Sequence, residues 1–197
     1  MRKGNLTRNN ILEKASSLAT RVGLDGLSIG QLAGELQMSK SGLFAHFGSK
    51  EELQIQVLQA ASERFTDSVV KPALKRERGK PRLQALFENW LEWGLSEPQT
   101  RSGCLFVAAA IELDDQPGPV RDELVKIQAR WIETLERTLE LGQISGQFQA
   151  ALNPAEAVQE LYGILLSAHF YVRLMGQPEA LKRARHLFYA FLERIQI

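Results

Sequence analysis

One cysteine, Cys104, in 197 residues excludes an internal disulfide and gives no support for a secreted, disulfide-stapled scaffold. The three histidines, His46, His169 and His186, lie far apart in the chain. No His/Cys cluster with metal-ligand spacing exists, and no metal or other cofactor is expected. No apolar run approaches the roughly 18 residues that a membrane-spanning helix needs. Met1-Arg2-Lys3-Gly4-Asn5 opens with charge, but no apolar signal stretch follows it, so a cytoplasmic location is expected. Strand signals are scarce: there is no sustained period-two alternation, and Asp25-Gly26 lies between helical patterns. Walker A, Gly-x-Gly-x-x-Gly, His-Glu-x-x-His and Gly-x-Ser-x-Gly motifs are all missing, so the chain is expected not to be an enzyme.

What the chain does have is ordinary globular material, 44% hydrophobic and 24% charged. Its length suits one large helical domain or a small domain fused to a medium one. The formal net charge is only +1, but it is unevenly spread. Residues 1–50 hold seven Lys/Arg against three Asp/Glu, whereas residues 51–197 hold 17 against 20. A basic head fits a locally anionic partner such as DNA phosphate, and an imbalance of four charges also fits a solvated face.

The pattern reads as all-α, with about nine helices. The first runs from about Leu6 to Val22, with Ile11, Leu12, Ala15, Leu18, Ala19 and Val22 on one stripe; Gly23 and Asp25-Gly26 stop it. Ser28 caps a short second helix with Gln31 at the capping-box position, and Ile29, Leu32, Ala33 and Leu36 form its buried face. Ser39 caps a third helix, Lys40 to His46, which Gly48 closes. Ser49 caps a long fourth, with Glu52 at the capping-box position; it carries Leu53, Val57, Leu58, Ala61 and Phe65 and ends near Lys71-Pro72. Residues 75–82 are the best candidate linker. Further helices are expected at roughly 81–95, 103–113, 119–143, 154–175 and 178–195, with Gly142 to Gly146 among the breaks.

Three short helices in about 40 residues, the second and third joined by Gln37-Met38-Ser39, have helix-turn-helix spacing. In the third, Leu43 and Phe47 lie one turn apart and can face the core, leaving Lys40, Ser41, Gly42 and Phe44 on other faces. Gly42 permits close backbone approach to a partner, and the helix N-terminus offers N–H groups to phosphate.

The stretch from Leu27-Ser28-Ile29-Gly30-Gln31-Leu32-Ala33 through Met38-Ser39-Lys40-Ser41-Gly42-Leu43-Phe44-Ala45-His46-Phe47-Gly48-Ser49-Lys50-Glu51-Glu52-Leu53 closely resembles the DNA-binding signature of TetR-family regulators. Thr7 to Leu12 and Ala15 resemble that family's first helix. The match covers about the first 55 residues; beyond residue 60 only the helical layout and total length correspond. The resemblance implies a helix-turn-helix DNA-binding domain over residues 1–50 and a helical effector-binding and dimerisation domain over residues 51–197. It implies a homodimer on a palindromic operator in double-stranded DNA, released by a small-molecule effector, and favours a repressor over an activator. Carried over position by position, the DNA-facing residues are Ser28, Lys40, Ser41, Gly42, Phe44, His46 and Lys50. His46 and Lys50 are the phosphate contacts of choice, and Lys40 and Ser41 are candidates for base edges or phosphates. The family usually has tyrosine where this chain has Phe44, so one hydroxyl contact to phosphate is lost. A helical protein–protein adaptor is the alternative function, with an enzyme lacking any recognisable motif behind it.

In the body, Phe87, Trp90, Cys104, Phe106, Trp131, Phe170 and Tyr171 are the candidates for an effector pocket; aromatics at this spacing are more often core. Cys104 near a helix start could be a low-pKa thiolate sensor or a small buried hydrophobe. The run Glu112-Leu113-Asp114-Asp115 precedes Pro117 and reads as a solvated loop. His169 reads as a satisfied histidine in a packed site. Homodimerisation is expected through the last two helices. The stripes concerned are Leu181, Ala184, Leu187, Phe188, Phe191, Leu192 and Ile195 on the final helix, and Val158, Leu161, Tyr162, Leu165 and His169 on its neighbour. Packing of both stripes inside one subunit is the competing reading.

Overall fold

Ile11, Leu12, Ala15, Leu18 and Ala19 recur at three- and four-residue steps, and all five are buried on one side of the first helix, α1 (Lys3–Val22). The computed structural model describes residues 3–95 and 104–197. Among them the secondary structure is helical throughout, apart from one isolated bridge between Phe148 and Gln196. After α1 come α2 (Ile29–Glu35), α3 (Lys40–Phe47) and α4 (Lys50–Phe65). The last of these continues through a π turn, Thr66–Val70, into α5 (Lys71–Leu74). Then follow α6 (Lys80–Leu95), α7 (Leu105–Leu113), α8 (Pro119–Ile144), α9 (Pro154–His169) with a second π turn at Phe170–Leu174, and α10 (Ala180–Ile195). With α4 and α5 counted as one rod, these are the nine helices that the periodicity predicts.

The chain divides into two compact units: residues 1–64 with 99–128, and residues 65–98 with 129–197. The first unit draws on two separate stretches of sequence. Its core is built from α1 and from Leu24, Leu27, Leu32, Ala33, Leu43, Phe47, Leu53, Val57, Leu58 and Ala61, all buried. Helix α1 packs on both α2 and α7. Val22, expected on the buried stripe, is exposed because the helix ends there, and Ile29 and Leu36 of α2 are only half-buried. Ile111 on α7 and Val125 on α8 are also exposed.

The second unit has an aromatic interior. Phe87 stacks flat on Phe188 at 3.9 Å, and Phe65 meets Trp93 and Trp131 edge-on at 5.7 and 5.1 Å. Gly142, the first residue of the expected break, lies in the last turn of α8, which ends at Ile144 within that break. A Cβ there would fall 2.1 Å from Phe148 Cδ2, so the glycine makes room for a ring that is fully buried. Just past the helix end, Gly146 has a φ of +69°, which an L side chain rarely adopts. Gln147 then bridges the 78–80 segment, accepting from Lys80 N–H at 3.0 Å and donating to the Arg78 carbonyl at 3.0 Å.

Candidate nucleic-acid interface

Each of the three expected serine caps is formed. Ser28 Oγ accepts from Gln31 N–H at 3.2 Å, Ser39 Oγ from Gly42 N–H at 3.1 Å and Ser49 Oγ from Glu52 N–H at 3.0 Å. Each satisfies an N–H that has no partner within its own helix. Gly48 ends α3 at φ +73°, donating its N–H to the Phe44 carbonyl at 2.7 Å. The turn between α2 and α3 holds Gln37 at φ +53°, the one non-glycine residue with positive φ among the described residues. Neighbouring bonds fix it there: Gln37 N–H donates to the Gly34 carbonyl and Met38 N–H to the Ala33 carbonyl.

This turn sets α3 against α2 with Leu43 and Phe47 buried. Lys40, Ser41, Phe44, Ala45 and His46 are therefore left in solvent, and Gly42 is half-exposed. Phe44 is 53% exposed, a large apolar ring with no core role. The Lys40 tail passes over α2, its Cε 3.3 Å from where a Gly30 Cβ would stand. Ser28 and Lys50 are exposed as well, so all seven sequence-derived positions have surface to offer. Lys50 Nζ donates to Asp25 Oδ1 at 2.8 Å.

The turn between α1 and α2 is held from three sides within this unit. Gln54 donates its side-chain N–H to the Leu24 carbonyl at 2.8 Å, a buried bond, and Lys50 pairs with Asp25. Glu112 accepts from Leu24 N–H and from Asp25 N–H, each at 2.7 Å. The reading of Glu112 in a solvated loop is thus corrected: α7 runs on to Leu113, and the carboxylate is half-buried and bonded. Sequence pattern offers no signal for this residue, since its partners are backbone groups.

The effector-pocket candidates fall in both units. Phe87, Trp90, Trp131, Phe170 and Tyr171 belong to the second unit, and Cys104 and Phe106 to the first. Phe87, Trp90, Cys104, Phe106 and Trp131 are buried, and the burial of Cys104 favours its reading as a small hydrophobe. Phe170 and Tyr171 meet edge-on at 5.5 Å in the second π turn, and both are exposed. Tyr171, with Arg183 stacked 5.5 Å from its ring, borders a cleft of about 420 Å³ between α9 and α10 that Ser167, Gln177 and Leu187 also line.

Among the described residues, three buried side-chain nitrogens of the second unit, Arg82 Nε, Trp131 Nε1 and His169 Nε2, have no hydrogen-bond partner. The reading of His169 as a satisfied histidine is therefore corrected. Burial disfavours its charged form and the nearby Arg173 cation adds to this, holding its pKa below the ordinary 6.5.

Among the described residues no His/Cys/Asp/Glu group is arranged to hold a metal ion, and no helix is long and apolar enough to cross a membrane.

Residues 79–188 match the family described as tetracyclin repressor-like, C-terminal domain, and residues 11–57 match the bacterial regulatory proteins of the tetR family. The HTH-type transcriptional repressor DhaR of Mycobacterium sp. (strain GP1) is 27% identical over 151 residues, 75% of this chain and 72% of that protein. The HTH-type transcriptional repressor NemR of Escherichia coli (strain K12) is 23% identical over 179 residues, 90% of this chain and 89% of its own. A TetR transcriptional regulator from Chloroflexus aurantiacus has the same fold, with a TM-score of 0.86, 22% identity and full coverage of both chains. The C-terminal match alone spans more than half of the chain, and the N-terminal match falls on the helices that present Lys40 to Lys50: the chain belongs to the TetR family of bacterial transcriptional regulators.

Proposed function

We propose that this protein is a ligand-responsive transcriptional repressor that binds a palindromic operator as a homodimer, each protomer laying α3 in a major groove. The observation that carries the reading is the division of α3. Its Leu43 and Phe47 face is buried, and its opposite face presents Lys40, Ser41, Phe44 and His46 to solvent. Lys40 and Ser41 lie at the helix start, where side chains and backbone N–H groups reach base edges and phosphate together. His46, Lys50 and Ser28 flank them as phosphate contacts, and Gly42 lets the backbone come close. The Phe44 ring packs on sugar or a thymine methyl in place of the hydroxyl bond that tyrosine would make.

The second copy is supported by exposed apolar surface. Of the fourteen large hydrophobic residues exposed among the described residues, seven lie between Leu166 and Tyr189, on α9, its π turn, the Met175 that follows it and α10. This face differs from the stripes expected from periodicity. Val158, Leu161, Leu165, Ala184, Phe188, Phe191, Leu192 and Ile195 are buried inside the protomer, which leaves Leu166, Phe170, Leu174, Met175, Leu187 and Tyr189 to meet the partner. In a two-fold dimer the recognition helices would stand about one turn of DNA apart, roughly 34–36 Å. An effector bound in the residue 51–197 body would change that spacing and release the operator. As a regulator acting on DNA, the protein would work in the cytoplasm and without a cofactor.

Capture of fragmented genomic DNA by the purified protein, followed by sequencing, tests the proposal. Recovery of a small set of fragments sharing an inverted repeat supports it. Recovery of a random sample of the genome by folded dimer contradicts it.

A further inference from the structure

Glu112 stands on the last turn of α7, and both of its carboxylate oxygens are engaged by backbone: Oε2 by Leu24 N–H and Oε1 by Asp25 N–H, each at 2.7 Å. Two successive N–H groups converging on one anion form a nest, and hydrogen bonds to a charged acceptor are about twice as strong as neutral ones. Gly23 makes the seat possible. Its φ is +82°, and a Cβ on it would fall 2.7 Å from Glu112 Oε1. The chain leaves this turn directly into Ser28, the cap of α2, and through α2 into α3. The carboxylate belongs to the stretch matched to the C-terminal family domain, and the turn it holds belongs to the stretch matched to the DNA-binding one.

We infer that Glu112 is a positioning residue for operator binding. Seated on Leu24 and Asp25, it holds α2 and α3 in the DNA-competent arrangement; a shift of α7 that withdraws the carboxylate empties the nest and frees the turn. The inference rests on the operator-binding reading above. It assigns that regulation a specific joint, in which α7 acts on the recognition helix through two hydrogen bonds and without touching DNA. Gln54 and Lys50 hold the same turn from α4, so loss of Glu112 loosens the turn without unfolding the unit.

The test compares wild type with Glu112→Ala, Glu112→Gln, Gly23→Ala and the Glu112→Ala/Gly23→Ala double variant. Each is titrated against a fragment recovered by genomic capture and against random duplex, with amide exchange at Leu24 and Asp25 and the melting temperature recorded alongside. Glu112→Ala is expected to weaken fragment binding about ten-fold, leave random-duplex binding unchanged or slightly tighter, and speed exchange at both amides. Glu112→Gln keeps one carbonyl acceptor and should fall between. The double variant should lose no more than Glu112→Ala, because both changes empty the same seat. Wild-type fragment affinity in Glu112→Ala overturns the inference, as does an equal loss on fragment and random duplex accompanied by a lowered melting temperature. Absence of fragment-specific binding in wild type itself overturns the operator reading, and the inference with it.

Discussion

Lys50 Nζ lies 2.8 Å from Asp25 Oδ1, so the lysine proposed to contact phosphate already carries a counter-charge. Both side chains are about half exposed or more, and such a pair is worth about 0.2–1 kcal/mol. Asp25→Asn releases the lysine and keeps the backbone N–H that Glu112 accepts. DNA binding should tighten by about two- to five-fold at low salt, with the gain shrinking as salt screens it. Anisotropy titrations at two salt concentrations read this directly. Unchanged affinity would mean that Lys50 does not reach DNA.

Phe44 is free of core packing, which separates its proposed contact with DNA from any part in folding. Phe44→Tyr should leave the melting temperature unchanged and strengthen operator binding by about 0.5–1.5 kcal/mol, the net worth of one added hydrogen bond. Phe44→Ala should weaken binding with equally little effect on stability. A large loss of stability in either variant would place the ring in the core.

Two glycines in helices should respond oppositely to alanine. Gly142→Ala drives a Cβ into the Phe148 ring and should cost about 1–3 kcal/mol in urea unfolding. Gly34→Ala, exposed in α2 with nothing within 4 Å, should gain about 0.5–1 kcal/mol from helix propensity alone.

The orphaned His169 gives a pH dependence of definite sign. Burial, assisted by Arg173, holds its folded-state pKa below 6.5. Below about pH 6.5 the unfolded chain takes up a proton that the folded chain refuses. Stability present above that pH is therefore lost as the pH falls towards the folded-state value. His169→Gln should lose less stability than wild type between about pH 7.5 and 5.5, measured by denaturant midpoints. Parallel curves for the two proteins would show that the imidazole titrates alike in both states.

Leu174 and Leu187 are 73% and 50% exposed, so aspartate at either should cost the protomer little. Leu174→Asp/Leu187→Asp should give monomers by light scattering with unchanged helicity. Dimers that survive would locate the interface elsewhere.

The parts of this fold that were legible in the sequence are those written in local chemistry. Ser28, Ser39 and Ser49 announce helix starts because a cap and its N–H lie three residues apart. Leu43 and Phe47 announce the inner face of α3 by their one-turn spacing. The parts that were not legible depend on partners remote in sequence. Glu112 looks like any surface carboxylate until the fold brings it to amides 87 and 88 residues away. The broad stripe of α10 could not reveal whether Phe188 and Phe191 meet their own subunit or another. Periodicity reports that a face is covered, and the covering group has to be found in space.

Operator binding is tested most directly by fluorescence anisotropy of the purified protein on DNA from around its own gene and on a captured genomic fragment, with random duplex as competitor, across a salt series. The account predicts competitor-resistant binding that falls steeply with salt and is lost in Lys40→Ala/Ser41→Ala. Folded protein that binds every duplex equally, or none, would contradict operator binding.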